Sequence, residues 1–145
     1  MSQVEDFLSS TDEAEIVEAI IAAEQRTSGE IRVHLEAHTD LDPYERAKAV
    51  FHLLKMDNTK EENGVLLYVA VQDKKFVICV DKGIDRAVPD NFWEGTRDVI
   101  QEHFKKGQFK TGIVQGILRA GEALQAHFPY KKGDQNELSD EVSKA

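Results

Sequence analysis

The sequence predicts an α/β fold, a three-layer α/β/α sandwich in which a small mixed β-sheet carries helices on both faces. Two segments have the apolar patterns of strands, and the segment between them has the spacing of an amphipathic helix. A strand–helix–strand order makes the two strands parallel, with a right-handed crossover. A third apolar segment follows the short turn at residues 72–75, so it is expected to return antiparallel as a hairpin.

Length and composition fit one domain. The chain has 145 residues, of which 41% are hydrophobic, and this is enough to form a core without disulfides. Its formal net charge of −9 repels phosphate backbones and anionic membranes. We therefore expect no nucleic-acid or membrane partner, whereas a divalent cation or another protein is a suitable partner. Because the N-terminus lacks the basic and apolar regions of a secretory signal, a cytoplasmic location is expected, with the one cysteine, Cys79, reduced.

A polar segment and a helix open the chain. Residues 1–10 are expected to form a flexible N-terminus. Ser10 and Glu13 have the spacing of a capping box, which predicts a helix that begins near Thr11. Gly29 follows the last apolar position of this helix, where a left-handed glycine commonly ends a helix.

The three predicted strands differ in pattern. In the first, apolar residues alternate with polar ones, so one face is expected in the core and the other is expected to stay polar. The apolar set is Ile31, Val33 and Leu35, and the polar set is Arg32, His34 and Glu36. The second strand, residues 65–71, is apolar throughout and is predicted to be covered on both faces. The third is residues 76–80.

Three further helices are predicted from their ends and apolar stripes. Asp42 caps one that begins at Pro43. Its buried stripe is predicted to be Tyr44, Ala47, Val50, Phe51 and Leu54. The next begins at Pro89 and is broken by Gly107, and the last stops near residue 128. Residues 131–145 are polar and acidic without periodicity, which predicts a disordered tail after a folded domain at residues 11–130.

Carboxylates from three separate segments are expected to meet at one edge of the sheet. Glu30 precedes the first strand, and Asp57 lies in the loop before the second. Asp81 and Asp85 follow the third strand in a predicted loop, where Gly83 is expected to help aim main-chain carbonyls inward. Two parallel strands and one antiparallel strand place all these segments at the same end. Oxygen donors on loops suit Ca²⁺, with Mg²⁺ second, so the predicted metal ligands are Glu30, Asp57, Asp81 and Asp85.

Other interpretations compete with this site. Open α/β sheets usually bind ligands at the carboxyl ends of parallel strands, and the predicted site is at their amino ends. Acidic loop residues are also commonly solvated caps, which would leave a structural module without a ligand. His34 and His38 share a strand face, but without a third zinc ligand they are better explained as solvated or packed. Cys79 and Arg86 lack the spacing of a phosphate-binding cysteine loop.

Four blocks of sequence resemble successive blocks of the TPM domain family, and the resemblance covers residues 11–128. The blocks are Gly29-Glu30-Ile31-Arg32-Val33, residues 63–70, Asp81-Lys82-Gly83-Ile84-Asp85 and residues 104–113. The chain looks like a stand-alone bacterial-type member. The resemblance implies an α/β/α sandwich and, in some relatives, bound Ca²⁺. Its usual Gly-Tyr-Gly-Leu-Glu turn keeps a carboxylate here as Asp85, whereas Asp81 replaces the first glycine.

The sequence thus predicts a Ca²⁺-binding TPM-like domain that acts as a regulatory or protein-interaction module. The alternative is a metal-assisted acid phosphatase, since a plant relative is regarded as one. In that reaction the ion would polarise a phosphoryl oxygen, and Lys82 and Arg86 would supply the cationic clamp. No catalytic residue is predicted, because the sequence identifies no positioned general base.

Overall fold

One mixed sheet organises the structure, a computed structural model that describes residues 8–130 and 142–144. The elements are α1 (Ser10–Glu24), β1 (Glu30–Glu36), α2 (Pro43–Leu53), a 3-10 turn (Met56–Asn58), β2 (Gly64–Ala70), β3 (Lys75–Val80), α3 (Lys82–Ala87), α4 (Glu94–Lys105), α5 (Phe109–Leu124) and β4 (Ser143–Lys144). The strand order is β3-β2-β1-β4. β1 runs parallel to β2 and to β4, and β3 runs antiparallel to β2.

Helices cover the sheet on both faces, which confirms the predicted fold class. α1, α4 and α5 pack on one face, where Ile31 and Leu67 meet Ile100 in the larger core. α2 packs on the other face, where Phe51 meets Leu66. β2 is buried along its whole length, as its continuous apolar run predicts. Among the described residues, no helix is long and apolar enough to cross a membrane.

The ends of α1 differ from the prediction. The capping box is formed by Ser9 and Asp12 rather than by Ser10 and Glu13. Leu8, just before the cap, is only 3% exposed, and its burial fixes the start of the helix one residue earlier. Gly29 does not have the predicted left-handed conformation. A Cβ there would lie 3.2 Å from Cδ1 of Leu124, so the glycine instead admits α5 close to the chain.

The segment after β3 also differs from the prediction, because it is the helix α3 and not a loop. Asp81 caps this helix, and Ile84 is fully buried, so one polar and one apolar contact fix the turn. Pro89 follows α3 and does not begin the next helix, which starts at Glu94. In α2, Asp42 and Pro43 begin the helix as predicted, although Tyr44 is 50% exposed and lies outside the buried stripe.

The predictions for the two termini fall largely outside the described residues, which exclude 1–7, 131–141 and 145. The flexible N-terminus and the disordered tail therefore stay predictions there. Within the described part, Ser143 and Lys144 form β4 beside His34 and Leu35 of β1. Lys144 Nζ lies 2.6 Å from a carboxylate oxygen of Glu13, which ties β4 to α1.

Gly121 permits the close contact between α5 and α1. A Cβ at this position would lie 2.7 Å from Cβ of Ala23 and 3.0 Å from its carbonyl oxygen. Gly121→Ala should therefore lower the free energy of unfolding by about 2 kcal/mol, because the helices must separate to admit a methyl group. Urea unfolding measures this. An increase in stability, which helix propensity alone would give, would contradict the tight contact.

Candidate metal centre

Two buried carboxylate residues lie on either side of Gly64, at the edge of the sheet where β1 and β2 begin. Glu30 pairs with Gly64, and its N–H donates to the carbonyl of Asn63 (3.2 Å). On the other side, the N–H of Asp81 donates to the carbonyl of Gly64 (3.0 Å). Residues opposite one another in neighbouring strands direct their side chains to the same face. Glu30 and Asp81, each 4% exposed, therefore share the α2 face of the sheet.

A main-chain carbonyl adds a third oxygen above Gly64. A Cβ at this glycine would lie 3.0 Å from the carbonyl oxygen of Met56 and 3.4 Å from Cζ of Phe51. The oxygen thus lies on the same face as the two carboxylates. The oxygen-bearing groups of Glu30, Asp81 and Met56 therefore lie on one face around Gly64, whose lack of a side chain lets the carbonyl of Met56 approach.

Asp81 has one carboxylate oxygen that is not used by the protein. Its Oδ1 accepts the N–H of Lys82 (2.8 Å) as the N-cap of α3. Its Oδ2 is buried and has no hydrogen-bond partner in residues 8–130 and 142–144. A buried polar atom without a partner costs roughly 1–3 kcal/mol, and more when the group is charged. A cation beside Oδ2 would offset this cost.

Asp57 and Asp85, the other two predicted ligands, have different surroundings. Asp57 contacts His52, with Oδ2 at hydrogen-bond distance from Nδ1 (2.9 Å). Asp85 is exposed, one helical turn beyond Asp81 in α3. The described part of the chain contains no group of three or more His, Cys, Asp and Glu side chains arranged to hold a metal ion. The structure therefore places Glu30 and Asp81 on one face beside Gly64, and all four ligands stay predictions.

Gly83 has a role other than the predicted one. Its φ is not in the left-handed region, so unusual backbone geometry does not turn carbonyls inward. Instead, a Cβ there would overlap the carbonyl oxygens of Glu61 and Glu62, the latter at 2.5 Å. The N–H of Gly83 donates to the carbonyl of Glu62 (2.9 Å). This contact packs the first turn of α3 directly on the loop before β2 and so fixes Asp81 beside Gly64.

The two cations predicted to clamp a phosphate group are both paired with a carboxylate. Lys82 Nζ lies 3.5 Å from Glu62, and Arg86 Nη2 lies 3.4 Å from the same side chain. Both cations are exposed. A phosphatase would have to release them from Glu62 before they could hold a phosphate group.

The sequence did not predict a second polar cluster, which lies at the other end of β1. Glu36 accepts hydrogen bonds from Nε and Nη2 of Arg46, both at 2.9 Å, and from the hydroxyl of Tyr68. His34 stacks on Tyr68, and its Nε2 lies 3.3 Å from Glu36. Its Nδ1 lies 2.9 Å from Oγ of Ser143 in β4. This face of β1 is polar, as predicted, but it is buried beneath its neighbours rather than solvated.

Burial and pairing change the pKa values in this cluster. Burial alone would raise the pKa of Glu36, but the hydrogen bonds from Arg46, Tyr68 and His34 outweigh it and lower the pKa to about 2. Burial lowers the pKa of His34, although its hydrogen bond to Glu36 opposes this. Burial and the contact with Glu36 raise the pKa of Tyr68. The hydrogen bonds of Glu36 join β1 to Arg46 of α2 and to Tyr68 of β2, so the cluster fixes α2 on the sheet.

Comparison with known proteins decides the family. The family model of the TPM domain matches residues 1–123. The chain belongs to the TPM domain family. Three of the sequence blocks that resemble the TPM domain, at β1, at β2 and at the start of α3, meet at Gly64 in the structure. Among curated proteins, none matches the chain significantly.

Solved bacterial structures resemble this TPM domain. The NMR structure of the BA42 protein from the psychrophilic bacterium Bizionia argentinensis has 56% sequence identity and a TM-score of 0.93, and the match covers 100% of both chains. The N-terminal domain of a P. gingivalis protein has 19% identity and a TM-score of 0.70, over 86% of this chain and 82% of that one. The N-terminal domain of cg2496 from Corynebacterium glutamicum has 12% identity and a TM-score of 0.65, over 95% and 80%. The last two show the fold alone.

Proposed function

We propose that this TPM domain binds a divalent cation between Glu30 and Asp81, and that the ion regulates contacts with another protein. The observation that supports the proposal is the buried Oδ2 of Asp81, which lacks a hydrogen-bond partner among the described residues. The carboxylate of Glu30 and the carbonyl of Met56 supply further oxygens on the same side of Gly64. An oxygen-only set of donors of this kind fits a hard cation.

Ca²⁺ is the proposed ion, ahead of Mg²⁺ and Zn²⁺. The donors come from a strand end, a helix cap and a 3-10 turn, which suits the irregular coordination that Ca²⁺ accepts and Mg²⁺ does not. Zinc prefers imidazole and thiolate ligands. Cys79 lies two residues before Asp81, but it is buried in the apolar cluster between α2 and the sheet, and the donors around Gly64 are all oxygens.

Ca²⁺ should raise the melting temperature of the protein. Neighbouring carboxylates repel one another without an ion, and bound Ca²⁺ should stabilise the fold by about 2.7 kcal/mol when free ion is about a hundredfold above its dissociation constant. Asp81→Asn should remove most of this shift, because it removes the negative charge from Oδ2. The variant should still fold, since Asn caps a helix as well as Asp does. Thermal melting and calorimetry with Ca²⁺ measure these effects.

Matched variants show whether the response belongs to this edge. Asp40→Asn makes the same change at a carboxylate that is 98% exposed beyond the far end of β1, and it should leave the Ca²⁺ response unchanged. Asp57→Asn and Asp85→Asn should each weaken Ca²⁺ binding less than Asp81→Asn does. A melting curve that does not change at millimolar Ca²⁺ would contradict the proposal and favour a structural module.

A further inference from the structure

A groove at the opposite end of the sheet combines an aromatic floor with lysines at its rim. Its volume is about 750 Å³, and it lies where β2 turns into β3 and α4 turns into α5. This is the end at which the parallel strands β1 and β2 terminate, where open α/β sheets usually bind ligands. The floor is formed by Phe76, Phe104 and Phe109, and the rim carries Lys74, Lys75 and Lys105.

The aromatic floor is partly open to solvent. The rings of Phe76 and Phe104 meet edge to face at 5.4 Å, and those of Phe104 and Phe109 at 5.2 Å. Phe104 is buried, whereas Phe76 and Phe109 are half-buried. Pro43 borders the groove, and nearby in the sequence Leu41 and Tyr44 are 56% and 50% exposed. Accessible apolar surface with a charged rim is typical of a protein interaction site.

The rim is locally cationic on a protein whose net charge is −9. Within residues 8–130 and 142–144, Lys74, Lys75 and Lys105 form no ion pair. The acidic residues near them in sequence make their closest contacts with other groups, although the charge of Lys75 also acts on Asp73. Asp73 lies 2.7 Å from His38 and accepts the N–H of Thr39, and Glu102 lies 3.6 Å from Lys106. The lysine charges of the groove thus remain available to an anionic partner.

We propose that this groove docks an acidic peptide segment of a partner protein. One aromatic or large aliphatic side chain of the segment packs on the phenylalanine floor, and its carboxylates pair with the rim lysines. Lys74 and Lys75 lie where β3 begins and Lys105 lies where α4 ends, so a chain with several carboxylates matches these lysines better than a ligand with one. Nucleic acid is a poorer fit, because the rest of the surface is acidic. The groove is independent of the cation site at the other end of the sheet.

Amide chemical shifts of the isotope-labelled full chain test the proposal. The probe is a short capped peptide in which Asp and Glu surround one Phe. When the peptide is added, the changes in the protein's amide shifts should concentrate at residues 74–76 and 101–109 and should reach a plateau. Lys74→Glu combined with Lys105→Glu should raise the dissociation constant at least about tenfold, because two attractive contacts become repulsive. Replacing the peptide's Phe by Ser should weaken binding by a similar factor, because the floor then loses its apolar contact.

A control double variant makes the same change of charge, and one of its two positions has the same backbone conformation as Lys74. Lys55 and Lys60 are exposed at the opposite end of the sheet, and Lys55, like Lys74, has a positive φ. Lys55→Glu with Lys60→Glu should change the dissociation constant by less than about twofold, since salt screens charges at this distance. An equal loss of peptide affinity in the two double variants would overturn the proposal. Amide shift changes that lie outside the groove, or no changes at about 1 mM peptide, would also overturn it.

Two further measurements separate the alternatives. The first measurement is a titration with decanoate. If decanoate changes the amide shifts of the groove residues and the peptide does not, the groove binds small amphipathic anions and the peptide proposal is overturned. The Ca²⁺ response should be the same in the Lys74→Glu, Lys105→Glu variant as in the wild type. Loss of peptide binding in this variant, together with a normal Ca²⁺ response, would support the groove proposal. Absence of Ca²⁺ binding in the wild type would contradict the cation site and would not bear on the groove.

Discussion

Glu36→Gln is expected to lower the free energy of unfolding by about 3 kcal/mol at neutral pH, because it removes one partner of a buried ion pair. Glu36 is 5% exposed and accepts hydrogen bonds from Arg46, Tyr68 and His34. Gln has the same shape but carries no charge, and its amide cannot accept all of these donors. The side chain of Arg46 is 28% exposed and can regain some water, which places the loss at the lower end of the range for broken buried pairs.

The same substitution on the surface of α2 is the control. Glu45 pairs with Lys48 at 3.2 Å, but its side chain is 60% exposed. Such pairs contribute little, so Glu45→Gln should change stability by less than about 0.5 kcal/mol. Chemical unfolding of both variants compares an equal change of charge in two environments. A similar small loss in both would contradict a stabilising role for the buried cluster.

The pH dependence of stability gives a second readout of this cluster. The pKa of Glu36 is about 2 in the folded state against an ordinary 4.5, so its contribution is complete above pH 4.5 and is lost as the pH falls toward 2. Burial also lowers the pKa of His34 below 6.5. As the pH falls, the unfolded chain therefore binds a proton at this histidine at a higher pH than the folded chain does, and stability decreases further in acid. The difference in stability between wild type and Glu36→Gln should therefore shrink below pH 4.5. A constant difference would contradict this assignment.

Local sequence patterns predict the elements that depend on neighbouring residues alone, such as a strand buried along its whole length or a helix with a clear cap. The apolar run of β2 predicted burial on both faces, and Asp42 with Pro43 predicted the start of α2. Strand direction then placed Glu30 and Asp81 at one edge before any contact was known. These inferences succeed because each depends on neighbouring residues or on the handedness of a crossover.

The missed features depend on contacts between residues far apart in sequence. Glu36 and Tyr68 are 32 residues apart, and only the pairing of β1 with β2 brings them together. The sequence does contain a signal for this cluster, because Arg46 lies one turn before Val50 on the buried side of α2. A charge on a buried side requires a partner. Likewise, the sequence predicts a loop where α3 forms, because six residues show too little periodicity and a close contact with the preceding loop fixes the helix.

Gly83→Ala is expected to lower the free energy of unfolding by about 3 kcal/mol, although alanine favours helices. The second residue of α3 packs on the main chain of the loop before β2, where a methyl group would overlap the carbonyls of Glu61 and Glu62. Both obstacles are backbone atoms, which cannot rotate away as a side chain can. The helix must therefore move off the loop, which breaks the hydrogen bond from Gly83 to Glu62 (2.9 Å).

Gly95 provides a matched control, because it is likewise the second residue of a helix, α4. The closest atom to a Cβ there is the far end of Arg119, at 3.0 Å, and this flexible side chain can shift. Gly95→Ala should therefore leave stability unchanged or raise it by up to about 1 kcal/mol, as helix propensity predicts. Urea unfolding of both variants should show opposite directions. If Gly83→Ala is also neutral, α3 does not rest on the loop, and the placement of Asp81 beside Gly64 loses its structural support.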